Sequence, residues 1–248
     1  MEGSLLELGS ALSLTEEEDE GIILPRDLPR VSDPFALSLV GRLLSPHPVN
    51  FEALSHTFQN LLRPAKGVNV RRVADNRFCF VFNHVVDLRR TLALRSWTFD
   101  RNLLILQELS PGADPESVLL DWCPFFIRVH GIPYRYRSTA IARLTGAKLG
   151  VWEDEANVED FISWSGALRL RILLDVNLPL KWALRLRLPD DHSLVVRLTY
   201  ERLPNFCYLC GRLGHIQRLR DLQFADGFID PSVHAPYGPW LRDNSFGG

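Results

Sequence analysis

The chain has 248 residues, 46% apolar and 23% charged, ordinary proportions for a protein that folds around a core. No apolar run approaches the roughly 18 residues needed to cross a bilayer, and the acidic N-terminus lacks a charged-then-apolar signal pattern; both point to an intracellular protein, nuclear or cytoplasmic, with no membrane partner. The net charge of −2 conceals an asymmetry: residues 1–34 hold nine acidic and two basic side chains, the remainder 21 acidic and 26 basic.

Residues 1–34 contain "TEEEDEG" and the proline-punctuated "LPRDLPRVSDP", which predict a disordered acidic leader. Regular patterning begins at Phe35. "ALSLVGRLLS" is a strand stopped by Pro46 and Pro48. Asn50 then offers an N-cap to a helix with Phe51, Leu54, Phe58, Leu61 and Leu62 at helical spacing, ended by Pro64 and Gly67. "VNVRRVADNRFCFVFN" predicts two strands around Asp75-Asn76, with Phe78, Phe80 and Phe82 on one face and Cys79 and Val81 on the other. A second helix over "HVVDLRRTLALRSW" shows Val85, Leu88 and Leu92 as a stripe. "WTFDRNLLILQEL" closes the block near Leu109 as a hairpin or strand.

The resulting β-α-β-β-α-β order over 35–110 is that of the ferredoxin-like unit, which RNA-recognition modules use by stacking bases on sheet aromatics. Phe78, Phe80 and Phe82 are either such a platform or core. Large apolar residues alternating on a middle strand usually face inward, so core is the expectation.

After the connector "SPGADPESVLLDW", residues 111–204 form a second α/β block. "PFFIRVHGIP" is a strand ended by Gly131 and Pro133. A helix follows, closed by Gly150, with Ala140, Ile141, Leu144 and Leu149 as its apolar side. The acidic "EANVEDFIS" reads as a solvated loop. In "ALRLRILLDV" and "KWALRLRLP" leucine and arginine alternate, and "SLVVRLTYERLP" completes an antiparallel meander with Asp190-Asp191 in a turn. One face is thus apolar. The other carries Arg169, Arg171, Arg185 and Arg187, with Arg197 on the third strand, a grid suited to phosphates unless neighbouring carboxylates neutralise it. Only three of the 28 basic residues are lysine (Lys66, Lys148 and Lys181). Arginine is the better bidentate phosphate ligand, although a GC-rich coding sequence gives the same bias.

Cys79 and Cys123 sit in apolar runs and read as buried hydrophobes. Cys207, Cys210 and His215, in "CYLCGRLGHIQRLRD", obey Cys-x2-Cys-x4-His, with Gly211 and Gly214 where the chain must wrap. This is most of a zinc knuckle over 205–221. The fourth ligand is due five positions after the histidine, where Arg220 stands. Arginine stays protonated and cannot bind zinc. Asp221, or water, would make a weaker fourth ligand. Because small knuckles fold with their metal, a lost thiolate predicts a loosely ordered segment. Residues 222–248 read as a tail. Tyr208, Arg212, Arg218 and Arg220 are further candidate nucleic-acid contacts. No Ser-His-Asp set, phosphate-binding glycine loop or paired-carboxylate motif is present, so no enzyme and no small-molecule substrate are expected.

The stretches "LVGRLLS", "FIRVHGIPYRYRS", "RLRILLDVNLPL", "VRLTYERLPNFCYLCGRLGHI" and "YGPWLR", spanning residues 35 to 242, resemble a plant domain of unknown function followed by a CCHC-type zinc knuckle. That pairing occurs in proteins related to the first reading frame of LINE-type retrotransposons and in host genes derived from them. The resemblance implies a single-stranded RNA- or DNA-binding protein with zinc on Cys207, Cys210 and His215. The family's last cysteine falls on Arg220, a departure that shifts the expected contact surface to the arginine strands. The alternative is a protein-interaction or self-association module with no nucleic-acid role.

Overall fold

Asn50 opens the first helix by accepting a hydrogen bond from the Ala53 backbone, which satisfies one of the donors a helix start leaves unpaired. The helix, α1 (Phe51–Leu62), buries Leu54, Phe58 and Leu62. In the computed structural model, residues 36–93, 97–152, 166–188, 192–216 and 236–243 are described. The leader, the acidic loop and residues 217–235 lie outside them, and with these Arg218, Arg220 and Asp221.

The protein is α+β, with two almost wholly antiparallel sheets and few helices. The first sheet contains β1 (Ser38–Leu43), β2 (Val68–Ala74), β3 (Arg77–Phe82), β4 (Trp97–Phe99) and β5 (Asn102–Glu108) in the order β2-β3-β1-β5-β4. Every neighbouring pair is antiparallel. Hairpin turns at Asn76 (φ 54°) and at Asp100 and Arg101 (φ 49° and 60°) use left-handed backbone, the conformation tight hairpins require.

Alternation along β1 sends Leu39 and Leu43 to one face and Val40 to the other. The first face lies under α1 and α2 (Val85–Ala93). Phe78, Phe80 and Phe82 are buried there at 1–3% exposure, with Phe58 edge-on to Phe80 at 5.6 Å. They are core, and each contributes about 1.5–3 kcal/mol of burial.

The opposite face is also covered. Val40, Leu103 and Ile105 share a core with Phe125, Ile127 and Leu170 of the second sheet. Arg77 donates to the carbonyls of Pro115 and Val118, and Arg42 pairs with Asp121 at 3.2 Å. The sheet face on which an RNA-recognition module would lay out bases is therefore occupied by the protein itself.

The second sheet has β6 (Trp122–His130), β7 (Val151–Trp152), β8 (Leu168–Asp175), β9 (Ala183–Arg187), β10 (Ser193–Glu201) and β11 (Arg242–Asp243). Its order is β11-β10-β6-β8-β7, with β9 on the other part of β10. Here the meander expectation fails: β9 and β10 form a hairpin, but β6 inserts between β10 and β8. β6 is apolar enough on one face to take the central position, and with β10 it lies between the two arginine strands. The expected tail also contributes structure, since β11 pairs in parallel with β10 at Tyr200 and Glu201.

The helix α3 (Thr139–Leu149), capped by Ser138, buries Ala142, Thr145, Gly146 and Leu149. Leu144, expected inside, is 67% exposed. The helix turns its small residues inward because close approach outweighs hydrophobicity here. A Cβ on Gly146 would meet the Trp152 ring at 2.6 Å.

Candidate metal and nucleic-acid site

The chain leaves β10 through Leu203 and Pro204 and makes a tight loop. Its base is an antiparallel bridge between Phe206 and Leu213. The Cys207 amide donates to the Arg212 carbonyl and the Gly211 amide to the Cys207 carbonyl, both at 2.9 Å. This geometry requires left-handed backbone at Gly211 (φ 72°) and Gly214 (φ 87°), which glycine adopts at little cost.

The loop directs the Sγ atoms of Cys207 and Cys210 and the imidazole of His215 to one point, all within 4.8 Å of one another. Cys210 Sγ lies 3.4 Å from His215 Nε2. Two thiols and an imidazole are the soft, tetrahedral-preferring donors zinc takes, so these three residues fit the metal and can hold it. Burial pushes the Cys210 thiol above its ordinary value. Zinc would then displace a proton on binding, and its affinity would fall with acid.

Among the described residues, 205–216 of the knuckle are docked on the body, contrary to the loose segment expected there. Phe206 and Cys207 are 1% exposed and Leu213 is 7% exposed. The Leu180 amide donates to Gly211, and the Tyr237 amide to Tyr208. The Asn205 amide donates to the Arg101 carbonyl at 2.7 Å. Arg242 donates to the carbonyls of Leu203 and Pro204 and to the Tyr208 hydroxyl. Apolar packing and backbone bonds thus supply order that an isolated knuckle takes from metal alone. Tyr208 is part of this seam, its ring 5.0 Å from Phe206.

The arginine face is real, but its members differ. On the outer face of the second sheet, Arg169 makes two hydrogen bonds to Glu201, at 2.6 and 2.9 Å, and lies 3.6 Å over the Phe126 ring. Arg128, 4% exposed, contacts Glu201 at 3.1 Å and Asp243 at 2.6 Å. Burial alone would raise the Glu201 carboxyl, but the hydrogen bonds from Arg169 and Arg128 outweigh it and hold the group below the usual range. Arg169 is therefore a structural ion-pair partner. Arg171 lies 6.0 Å from the Phe126 ring.

Arg185, Arg187 and Arg197 are exposed on the β9–β10 hairpin, Arg185 within 3.4 Å of the Ser193 hydroxyl. His130 pairs opposite Arg197 and shares a 2.8 Å hydrogen bond with Thr199. Burial, then the Arg197 charge, push its pKa down. Arg212 is exposed on the knuckle itself. Sequence reading missed Glu201 and Asp243, whose role depends on strands far apart in the chain. The only available signal was a carboxylate ending a strand with no other acidic residue.

A two-sheet α+β body carries a docked loop that brings two cysteines and a histidine together, the arrangement of a zinc knuckle. Comparison with known families agrees: residues 32–117 match a domain of unknown function (DUF4283), and residues 174–220 match the zinc knuckle. This pairing fits a retrotransposon-like protein, and the knuckle suggests nucleic-acid binding. The knuckle match ends at the position where the Cys-x4-His-x4-Cys pattern would place its last ligand. No curated protein and no solved structure matches the chain.

Proposed function

We propose that the protein is a non-enzymatic, single-stranded nucleic-acid-binding protein derived from a plant LINE-type retrotransposon, acting inside the cell on RNA or its DNA copy. The observation that carries this reading is the convergence of Cys207, Cys210 and His215 within 4.8 Å on a knuckle-shaped loop, backed by exposed arginines on the same body. The first-sheet order β2-β3-β1-β5 supports a ferredoxin-like scaffold. With its open face covered, that scaffold positions the knuckle rather than stacking bases. Zinc binds weakly in this chain, because Arg220 stands at the fourth ligand position.

The test is fluorescence anisotropy with a labelled single-stranded RNA, titrated from about 50 to 200 mM salt, over which phosphate-dominated binding falls steeply. Tight binding at low salt that weakens with salt is expected; no binding at low salt would sink the reading. One feature favours a second reading, self-association: Trp182 and Trp240 are 49% and 43% exposed and meet edge-to-face at 6.2 Å, an aromatic pair of the kind enriched at interfaces. A concentration-dependent mass in light scattering, without RNA binding, is its signature.

A further inference from the structure

Where the first sheet ends against the knuckle, three clefts adjoin. The first, about 700 Å³, is walled by Arg42, Asn76, Arg77, Asn177, Arg212 and His215. The second, about 750 Å³, is walled by Pro46, Pro48, Val49, Phe99, Arg101 and Ile216. It also shares His215 and the Leu43, Ser45 and Pro46 edge with the first. The third, about 320 Å³, continues from it through Arg101, Asn205 and Ile216 to Arg242. We propose that these clefts form one groove that holds a single strand of nucleic acid, with Arg101 and Arg212 gripping its phosphates. This inference rests on the nucleic-acid reading above and gives that reading a location.

Three observations carry it. The first is charge. Five arginines line the groove against two aspartates, Asp75 and Asp100, and Asp75 is already paired with Arg72. Arg42 and Arg77 are tied to the connector and Arg242 to the knuckle base, so these three set the field without being free to reach a ligand. Arg101 and Arg212 are exposed, and among the described residues neither side chain makes an ion pair. They stand in different clefts of the groove, one beside the β4–β5 turn and one on the knuckle.

The second observation is a division of surface chemistry along the groove. The first cleft is the more polar of the first two, with Arg42, Arg77, Arg212, Asn76 and Asn177 on its walls, donors suited to phosphate and sugar oxygens. The second sets two prolines, a valine, Phe99 and the 43%-exposed Ile216 among polar groups such as Asn50, Asn102 and Asn205, so it offers apolar surface against which bases can pack. Single strands are held without reading sequence by a charged track beside aromatic side chains, and Phe99 is the phenyl ring this cleft supplies. The volumes of the first two clefts fall in the range of about 300–1,000 Å³ typical of ligand sites.

The third observation is exclusion. Both faces of the first sheet are closed, one by α1 and α2 and the other by the second sheet. The loop end beside the knuckle is where that block still presents open concave surface.

The experiment compares the full chain with Arg101→Gln/Arg212→Gln and with Arg185→Gln/Arg187→Gln, using a labelled uridine 20-mer over a salt series. Each lost phosphate contact removes about 0.7 from the slope of log affinity against log salt for a single strand. The groove pair is expected to flatten the slope by about 1.4 and to weaken binding about tenfold or more at 0.1 M salt. The hairpin pair is expected to change both less. Unchanged binding in the groove pair, with loss in the hairpin pair, overturns the groove while leaving nucleic-acid binding intact. Absence of binding in the unmodified chain overturns the function itself. All four side chains are exposed, and urea midpoints equal to that of the parent confirm intact folds. Cross-linking with a 4-thiouridine strand gives a second readout: adducts are expected on residues 43–50, 99–102 and 212–216, and adducts confined to 183–197 refute the groove.

Discussion

At the scale of single residues, Glu201 holds together the outer face of the second sheet. Its side chain is 2% exposed and faces Arg128, itself 5% exposed, and Arg169. Removing one partner of a buried pair leaves a charge without compensation and typically costs 3–5 kcal/mol. Asp243 still contacts Arg128, so Glu201→Ala is expected to cost about 3 kcal/mol, measured as a lower urea midpoint. The same site sets an acid limit. A carboxyl whose folded pKa lies below its unfolded value contributes stability that is complete above the unfolded value and disappears as pH falls through the folded one. His130 adds to this in the same direction. Its lowered pKa means that the unfolded chain takes up the proton first, so stability falls as pH drops below about 6.5. Stability measured from pH 7 down to about 2 should therefore decline in two stages. His130→Gln should remove the upper stage, and a profile unchanged by that substitution would contradict the assignment. The metal site yields a third residue-scale expectation. The unmodified protein should carry well under one zinc per chain, and Arg220→Cys should raise the content to about one, the complement of a closed four-ligand site. Near-stoichiometric zinc before substitution would show that another group supplies the fourth ligand.

At the scale of elements, local signals in the sequence were strong where one segment decides its own state. Asn50, the Asp75-Asn76 turn and the alternation of Phe78, Phe80 and Phe82 each specify structure within a few residues, and each element forms where the pattern places it. Asn50→Ala should accordingly cost about 1 kcal/mol without altering the dependence on denaturant. The same patterns are silent about partners. "ALRLRILLDV" and "KWALRLRLP" look like neighbours because they are neighbours in sequence, yet β10 and β6, the latter ending 38 positions before β8 begins, both lie between them. The α3 face was misread because Gly146 and Ala142 score as weakly apolar, whereas their small size is what admits Trp152 and Ile172. The candidate metal ligands were legible because three residues at fixed spacing define the cluster. The groove was not, since its walls come from two hairpin turns, a β1 edge and the knuckle. The final strand makes the same point experimentally. Residues 236–243 supply Leu241 to the core, Arg242 to the knuckle base and the Tyr237 ring that lies against Gly211. Ending the chain at residue 235 should expose the amides of Cys207 and Gly211 to fast hydrogen exchange while those of β1 and β3 stay protected. Equal protection in both forms would mean the knuckle is held without the last strand.

At the scale of the whole molecule, two matched families meet in one folding unit. The boundary between 35–110 and the following block is clear in sequence, with prolines, a glycine and a polar connector. In space it disappears. Val40, Leu103 and Ile105 project from the first sheet into the core built on Phe125, Ile127, Leu170 and Ile172, and Arg42 and Arg77 hold the connector against the sheet. Cutting the chain at residue 110 would expose that apolar face to water, a patch of the kind that drives association. It would also leave two arginines without the groups they bind. The isolated 35–110 fragment is therefore expected to aggregate or to unfold at much lower urea than the full chain. The full chain should lose both sheets in a single transition, with coincident midpoints for tryptophan fluorescence, which among the described residues reports Trp97 in one sheet and Trp122, Trp152, Trp182 and Trp240 in or beside the other, and for far-UV circular dichroism. A soluble fragment with a midpoint equal to that of the parent, or two separated transitions in the parent, would show that the blocks fold independently. The knuckle would then be docked on a hinge, and the groove at the seam would open and close with it instead of being fixed by a common core.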